Sequence, residues 1–132
     1  MKTIEISIIA NGKLEKAFLI CDRNNRELTF LMDNDLRKTY KEEDIYECFG
    51  LLRADFPTIQ FLCKGAKINV HTSRMSSQMS AGVLAYEVTL GRSTEDDDIV
   101  NIFAYEDTDI TNNIEEQRAY YKKWIKSLSN QQ

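Results

Sequence analysis

Lys2-Thr3-Ile4-Glu5-Ile6-Ser7-Ile8-Ile9-Ala10-Asn11-Gly12-Lys13-Leu14 is the stretch whose reading decides the fold. Ile4, Ile6 and Ile8 alternate with Thr3, Glu5 and Ser7, and a period of two marks a half-buried strand. Asn11-Gly12 follows, two residues that tolerate positive φ and so favour a tight hairpin. Leu14 to Cys21 reads as the returning strand, and Asp22 to Asn25 as a second polar turn. Glu27 to Met32, with Leu28, Phe30 and Met32 in phase, is a third strand. The N-terminal third is an antiparallel meander.

Beyond it, Asp33 to Lys41 is polar and reads as a connector to a helix. Thr39 and Glu42 have capping-box spacing. Ile45, Cys48, Phe49, Leu52 and Phe56 then form one apolar stripe, and Pro57 stops the helix near Asp55. Thr58 to Cys63 and Ala66 to His71 read as a hairpin turning at Lys64-Gly65. Thr72 to Gly82 is rich in Ser and Met, and its plainer reading is a short helix with Met75 and Met79 facing the core. The other reading is an adaptable contact surface, because Met repacks easily. Leu84, Tyr86, Val88 and Leu90 alternate as a strand ending at Gly91, and Ile99 to Ala104 reads as a further strand. Ile114, Tyr121, Trp124, Ile125 and Leu128 make the stripe of a last helix, capped by Asn112 or Asn113 and docked through Trp124. Glu115 and Glu116 at its start and Lys122, Lys123 and Lys126 toward its end complement the helix dipole.

The expected fold is α+β: a mainly antiparallel sheet of about five to seven strands against one central and one C-terminal helix. The 132 residues fit one domain, 1–132. No apolar run approaches the ~20 residues that span a bilayer, and the charged, alternating start does not resemble a signal peptide. A cytoplasmic protein with no membrane contact is the expectation. Cys21, Cys48 and Cys63 are an odd, scattered set, which favours free buried thiols over disulfides. With a lone His71 they do not supply a zinc site, and no metal or other cofactor is expected.

Charge is unevenly spread. The formal net charge is −4, yet Ser93 to Gln117 holds nine acids and no Lys or Arg. The rest of the chain has twelve acids against seventeen bases, so this one segment carries all the net negative charge. Glu115 and Glu116 have a local reason in the helix dipole. That leaves Glu95, Asp96, Asp97, Asp98, Glu106, Asp107 and Asp109, with Tyr105 among them as an aromatic anchor. A solvated face, a docking surface for a basic partner and a cation site are the competing readings. Adjacent aspartates do not all point inward, and the alternating ligands of an EF-hand are absent. Direct nucleic-acid binding needs a basic surface, for which Lys64, Lys67, Arg74 and Arg92 would have to converge.

For catalysis the candidates are His71, Ser73 and Arg74 in and beside the Ser/Met segment. A nucleophile needs an adjacent base. The hairpin register puts His71 opposite Thr58, away from Cys63, and no nucleophile elbow, phosphate-binding Gly loop or HExxH occurs. A small enzyme or ligand-binding domain using these three residues remains the alternative to a non-catalytic binding module.

Cys63-Lys64-Gly65-Ala66, Ser73-Arg74-Met75, Met79, Gly82, Ala85-Tyr86 and Asp98-Ile99-Val100-Asn101-Ile102-Phe103 resemble a pattern in small bacterial proteins. Those proteins are immunity partners of polymorphic and contact-dependent toxins. The resemblance covers about a third of the chain and includes no catalytic motif. It implies an inhibitor that neutralises one cognate toxin, a basic nuclease-like domain, through the acidic surface.

Overall fold

The computed structural model describes residues 1–33 and 35–129. β1 (Lys2–Ala10) and β2 (Lys13–Asp22) form the hairpin that the sequence dictates, with Ala10 opposite Lys13. Asn11 and Gly12 take φ of 54° and 75°, the left-handed pair that matches strand twist in a two-residue loop. β3 (Glu27–Leu31) continues the meander and buries Leu28 and Phe30. Ile6, Ile8, Ala17 and Leu19 line the same inner face.

The expected connector at Asp33 to Lys41 is instead partly a strand. β4 (Arg37–Lys41) pairs with β3, setting Thr29 opposite Thr39 with their hydroxyls 2.8 Å apart. It lies at the sheet edge and buries only Tyr40, so apolar alternation does not reveal it. Arg37, Lys38 and Lys41 are the charges that keep an open edge from pairing with another chain. Asn34, within that connector, lies outside the described residues.

α1 (Ile45–Asp55) buries the expected Ile45, Cys48, Phe49 and Leu52 against β3 and β4 and stops before Pro57. Its cap is Asp44, not Thr39: the Asp44 carboxylate accepts from Glu47 N at 2.8 Å. Thr39 is already committed to the β3–β4 ladder.

The expected hairpin around Lys64-Gly65 does not form. β5 (Gln60–Phe61) adds to β1 and completes a five-stranded antiparallel sheet of order β4-β3-β2-β1-β5. Phe61 packs edge to face against Phe30 and Phe49 at 5.5 and 5.8 Å, and burying it there wins over local pairing. Lys64–Ala66 is a tight 3-10 turn. Gly65 N donates to Ile102 O at 2.7 Å, and a Cβ at Gly65 would lie 2.7 Å from Ile102 Cβ, so the close approach requires glycine. His71 therefore lies opposite Tyr86, not Thr58.

β6 (Val70–His71), β7 (Leu84–Glu87) and β8 (Ile99–Asn101) make a separate three-stranded sheet, order β6-β7-β8. Ile99 to Ala104 thus begins as the expected strand. In β7 the alternation is present but its face is reversed: Ala85 is fully buried and Leu84 is 39% exposed. A period of two finds a strand without saying which side meets the core, and here Val83 and Ile102 already fill that side.

α2 (Arg74–Ser80) is the short helix of the Ser/Met segment, and it too is turned over. Met75 and Met79 are 65% and 80% exposed. The inward stripe is Ser73, Ser76, Ser77 and Ser80, at helical spacing. Ser73 and Ser76 close a capping box, Ser77 donates to Asp44 at 2.6 Å, and Ser80 accepts from Leu84 N at 3.1 Å. Serine oxygens, already satisfied by neighbouring backbone, are what α2 presents to the fold.

α3 (Ile114–Ser129) docks on the second sheet near β6. Asn113 caps it, accepting from Glu115 N at 2.9 Å. Trp124 is buried as expected, but Ile125 is exposed and Gln117 is fully buried. Gln117 accepts from Arg53 Nη2 at 2.7 Å and donates to Gly65 O and Lys67 O at 2.8 and 2.9 Å. Arg53, fully buried on α1, also donates to Thr111 O at 2.8 Å and lies over the Phe49 ring. Burial without a carboxylate partner lowers its pKa to about 10. Among the described residues no helix is long and apolar enough to cross a membrane.

Candidate partner-binding surface

The acidic segment lies on the connection from β7 to β8 and on the chain after β8. α3 anchors the chain just before the first part. Trp124 Nε1 donates to Arg92 O at 2.8 Å, and Gly91 N donates to Ser127 Oγ at 2.8 Å. Asp96–Asp98 then forms a 3-10 turn. Asp98 N donates to Glu95 O at 2.9 Å, and Glu95 N donates to Asp98 Oδ2 at 2.8 Å. Asp98 therefore closes the turn, while Glu95, Asp96 and Asp97 are exposed. Among the described residues no Lys or Arg comes within ion-pair distance of Glu95, Asp96, Asp97 or Asp98.

The second part is built differently. Glu106 faces Lys64 and Lys67 at 2.9 and 3.1 Å, and both lysines also reach Glu87 at 2.9 Å. These four groups neutralise one another in a half-buried square. Glu106 also accepts from Asp107 N and Thr108 N at 3.0 Å each. The Lys64 hydrogen bond, opposed by burial, holds its carboxyl down to about 2. For Glu87 burial opposes ionisation, but the bonds from both lysines outweigh it and its pKa is also lowered. Glu106 is thus neutralised within the chain, whereas the steering role expected of it needs free charge. Asp109 has φ 56°, a left-handed position that Asp adopts more readily than most residues, and its carbonyl accepts from Ile68 N. Tyr105 is 60% exposed and its hydroxyl donates to Asp107 at 3.3 Å. No hydrogen bond or ion pair joins Glu95–Asp98 to Tyr105–Asp109 among the described residues.

The same square consumes the conceivable basic patch, since Lys64 and Lys67 meet but carry no free charge. Their partner Glu87 had no sequence signal beyond its outward position in a strand. The three cysteines are buried free thiols, and burial pushes Cys48 and Cys63 up to about 12. Among the described residues no three His, Cys, Asp or Glu side chains converge as metal ligands do.

His71, Ser73 and Arg74 do come together. With Glu43, Asp44 and Glu47 they line a shallow cavity of about 350 Å³. His71 is stacked on Tyr121 at 4.3 Å and tilted against Tyr46 at 5.2 Å, with Nδ1 2.6 Å from Thr72 O. Burial lowers its pKa, opposed by the Thr72 bond. Ser73 Oγ is occupied by the cap of α2, 3.0 Å from Ser76 N. The imidazole is held between two aromatic rings, and the Ser73 hydroxyl is engaged in the helix cap.

Comparison with protein-family models gave no match, and comparison with curated proteins gave none.

Proposed function

We propose that this chain is a non-catalytic binding module: an immunity-type inhibitor that neutralises a cationic, nuclease-like toxin in the cytoplasm. One observation carries the reading. Asp96 and Asp97 stand exposed and without a cationic partner on a turn closed by its own Glu95–Asp98 bonds and preceded by a segment, Gly91–Arg92, bonded to α3, whereas Glu106 is neutralised within the chain. Fixed, unpaired charge steers a cationic protein to its site and selects among partners. A solvated loop needs no such anchoring. The resemblance of the residues quoted between Cys63 and Phe103 to immunity-type proteins agrees with the same reading. Steering rests on Glu95 to Asp98 and Asp107, with Tyr105 as an anchor on the separate loop; Glu106 and Asp109 have structural reasons of their own.

The test is a growth assay in which the product of the adjoining gene is induced with and without this chain. Wild-type chain restores growth, and Asp96→Lys/Asp97→Lys restores it less well. Failure of the wild-type chain to restore growth or to form a complex with that product overturns the reading.

A further inference from the structure

The methionines of α2 do not stand alone. Met75, Met79, Leu84, Tyr86 and Ile99 rim a cavity of about 200 Å³ with the buried Ala85 at its floor. A second cavity, of about 240 Å³, shares Met75 and Tyr86 with the first and ends at Tyr121 and Trp124. The two form one apolar groove from β8 across α2 to α3. Met75, Met79, Leu84 and Ile99 are 65%, 80%, 39% and 39% exposed, a cost in hydration that folding leaves unrelieved.

The acidic turn is the groove's rim. Thr94 lines the second cavity and Ile99 the first. Glu95 to Asp98 is the chain between them, so this acidic turn, with Glu95, Asp96 and Asp97 exposed, borders the groove on that side. Arg74, exposed next to Met75, is a cation on α2, a different wall of the groove from the acidic turn. Apolar floor and one acidic flank define the complement: an amphipathic helix with an apolar stripe bordered by Lys or Arg. Flexible Met side chains suit such a helix, because they repack around whatever apolar residues it carries.

We infer that the groove between α2, β7, β8 and α3 receives a basic amphipathic helix of the partner protein, with the Glu95–Asp98 turn pairing its cationic flank. This rests on the binding-module reading and specifies how the partner is held.

The probe is a capped Leu/Lys amphipathic peptide of about 18 residues, long enough to be substantially helical, with its Leu/Glu counterpart as control. Binding is followed by peptide anisotropy and by Trp124 fluorescence. The Leu/Lys peptide binds about tenfold or more tightly than the control at low salt, and the gap closes at high salt. Met75→Ser/Met79→Ser, at two exposed positions that leave the fold intact by circular dichroism, weakens it about tenfold at both salt levels. Asp96→Asn/Asp97→Asn weakens it only at low salt. Three results overturn the inference: no binding of the Leu/Lys peptide, equal binding of the control, or a wild-type dimer in sedimentation that Met75→Ser/Met79→Ser dissolves. The growth assay separates the two readings. Full rescue by Met75→Ser/Met79→Ser sinks the groove and leaves the inhibitor. Peptide binding without rescue by wild type sinks the inhibitor and leaves the groove.

Discussion

Gln117→Leu is the perturbation that most directly tests how the proposed binding surface is held. Gln117 is fully buried and joins α1, α3 and the turn after β5 through three short hydrogen bonds. Leucine keeps the volume and removes all three. One Nη2 of a buried guanidinium is then left without its acceptor, and Gly65 O and Lys67 O lose a donor. Orphaning a buried polar group costs about 1–3 kcal/mol, and more for a charged one. Some relaxation and water entry at the half-buried Lys67 reduce the sum, so we expect a loss of about 3–5 kcal/mol, a large part of the ~5–15 kcal/mol typical of a domain. Arg53→Met removes the buried cation instead. It orphans Thr111 O and Gln117 Oε1 but relieves desolvation that no carboxylate offsets, so its cost should be smaller, about 2–3 kcal/mol. In the double variant the broken Arg53–Gln117 bond is counted once and no orphaned guanidinium remains. It should fall short of the sum of the singles by about 1–3 kcal/mol. Urea unfolding of the four proteins, read by the single Trp124, measures the cycle. A loss under ~1 kcal/mol for Gln117→Leu, or additivity within ~0.5 kcal/mol, would refute the reasoning.

Two further outcomes follow from the geometry. Glu106 has a folded pKa of about 2 against an ordinary 4.5, so its stabilisation is present above the ordinary value and is lost as pH falls through the folded one. Glu106→Gln should therefore flatten the stability difference between neutral pH and about pH 3, measured by urea midpoints; an unchanged pH slope would remove Glu106 from the square. Gly65→Ala drives a Cβ to 2.7 Å from Ile102 Cβ and 3.0 Å from Ile102 O, both parts of a packed interior, and overpacking of that kind costs about 1–3 kcal/mol in thermal or urea unfolding. A neutral Gly65→Ala would show that the turn has slack.

The parts legible from sequence were those with a local cause. Asn11-Gly12 specifies its own hairpin, the isoleucines of β1 choose their own face, and Pro57 ends α1 without help. What escaped depends on partners distant in sequence. Lys64 and Lys67 lie 42 and 39 residues from Glu106, so an acid neutralised by both reads as free charge. β4 has a single buried side chain, and an edge strand with one apolar contact leaves no period. α2 did have a helical period, but in its serines. Reading only apolar residues assigned Met75 and Met79 to the core, where small hydroxyls actually meet Asp44 and the backbone. The groove draws its walls from α2, β7, β8 and α3, and in the sequence only the Met75–Met79 spacing, with its second reading as an adaptable contact surface, bears on it. Leu84 and Ile99 joined it only because β7 presents the face opposite to the one its larger residues suggest.

Net charge alone would treat the acids after Ser93 as one surface, yet their backbone surroundings divide them. Glu106 meets two backbone N–H groups and two ammonium groups, so ionisation is stabilised inside the fold and the loop depends on it. Asp96 and Asp97 meet none of these, and only their turn is fixed. Fixing the turn without pairing the charges has a consequence for association. A mobile acidic loop must be ordered when a partner arrives, at about 0.5–1.5 kcal/mol per rotamer-rich side chain and more for its backbone. Here the Trp124–Arg92 and Ser127–Gly91 bonds meet part of the backbone cost at folding. The buried Arg53–Gln117 pair secures the start of the same helix. A variant that loosens α3 should therefore weaken binding at the acidic turn while leaving every carboxylate in place, whereas neutralising Asp96 and Asp97 should weaken binding while leaving stability unchanged.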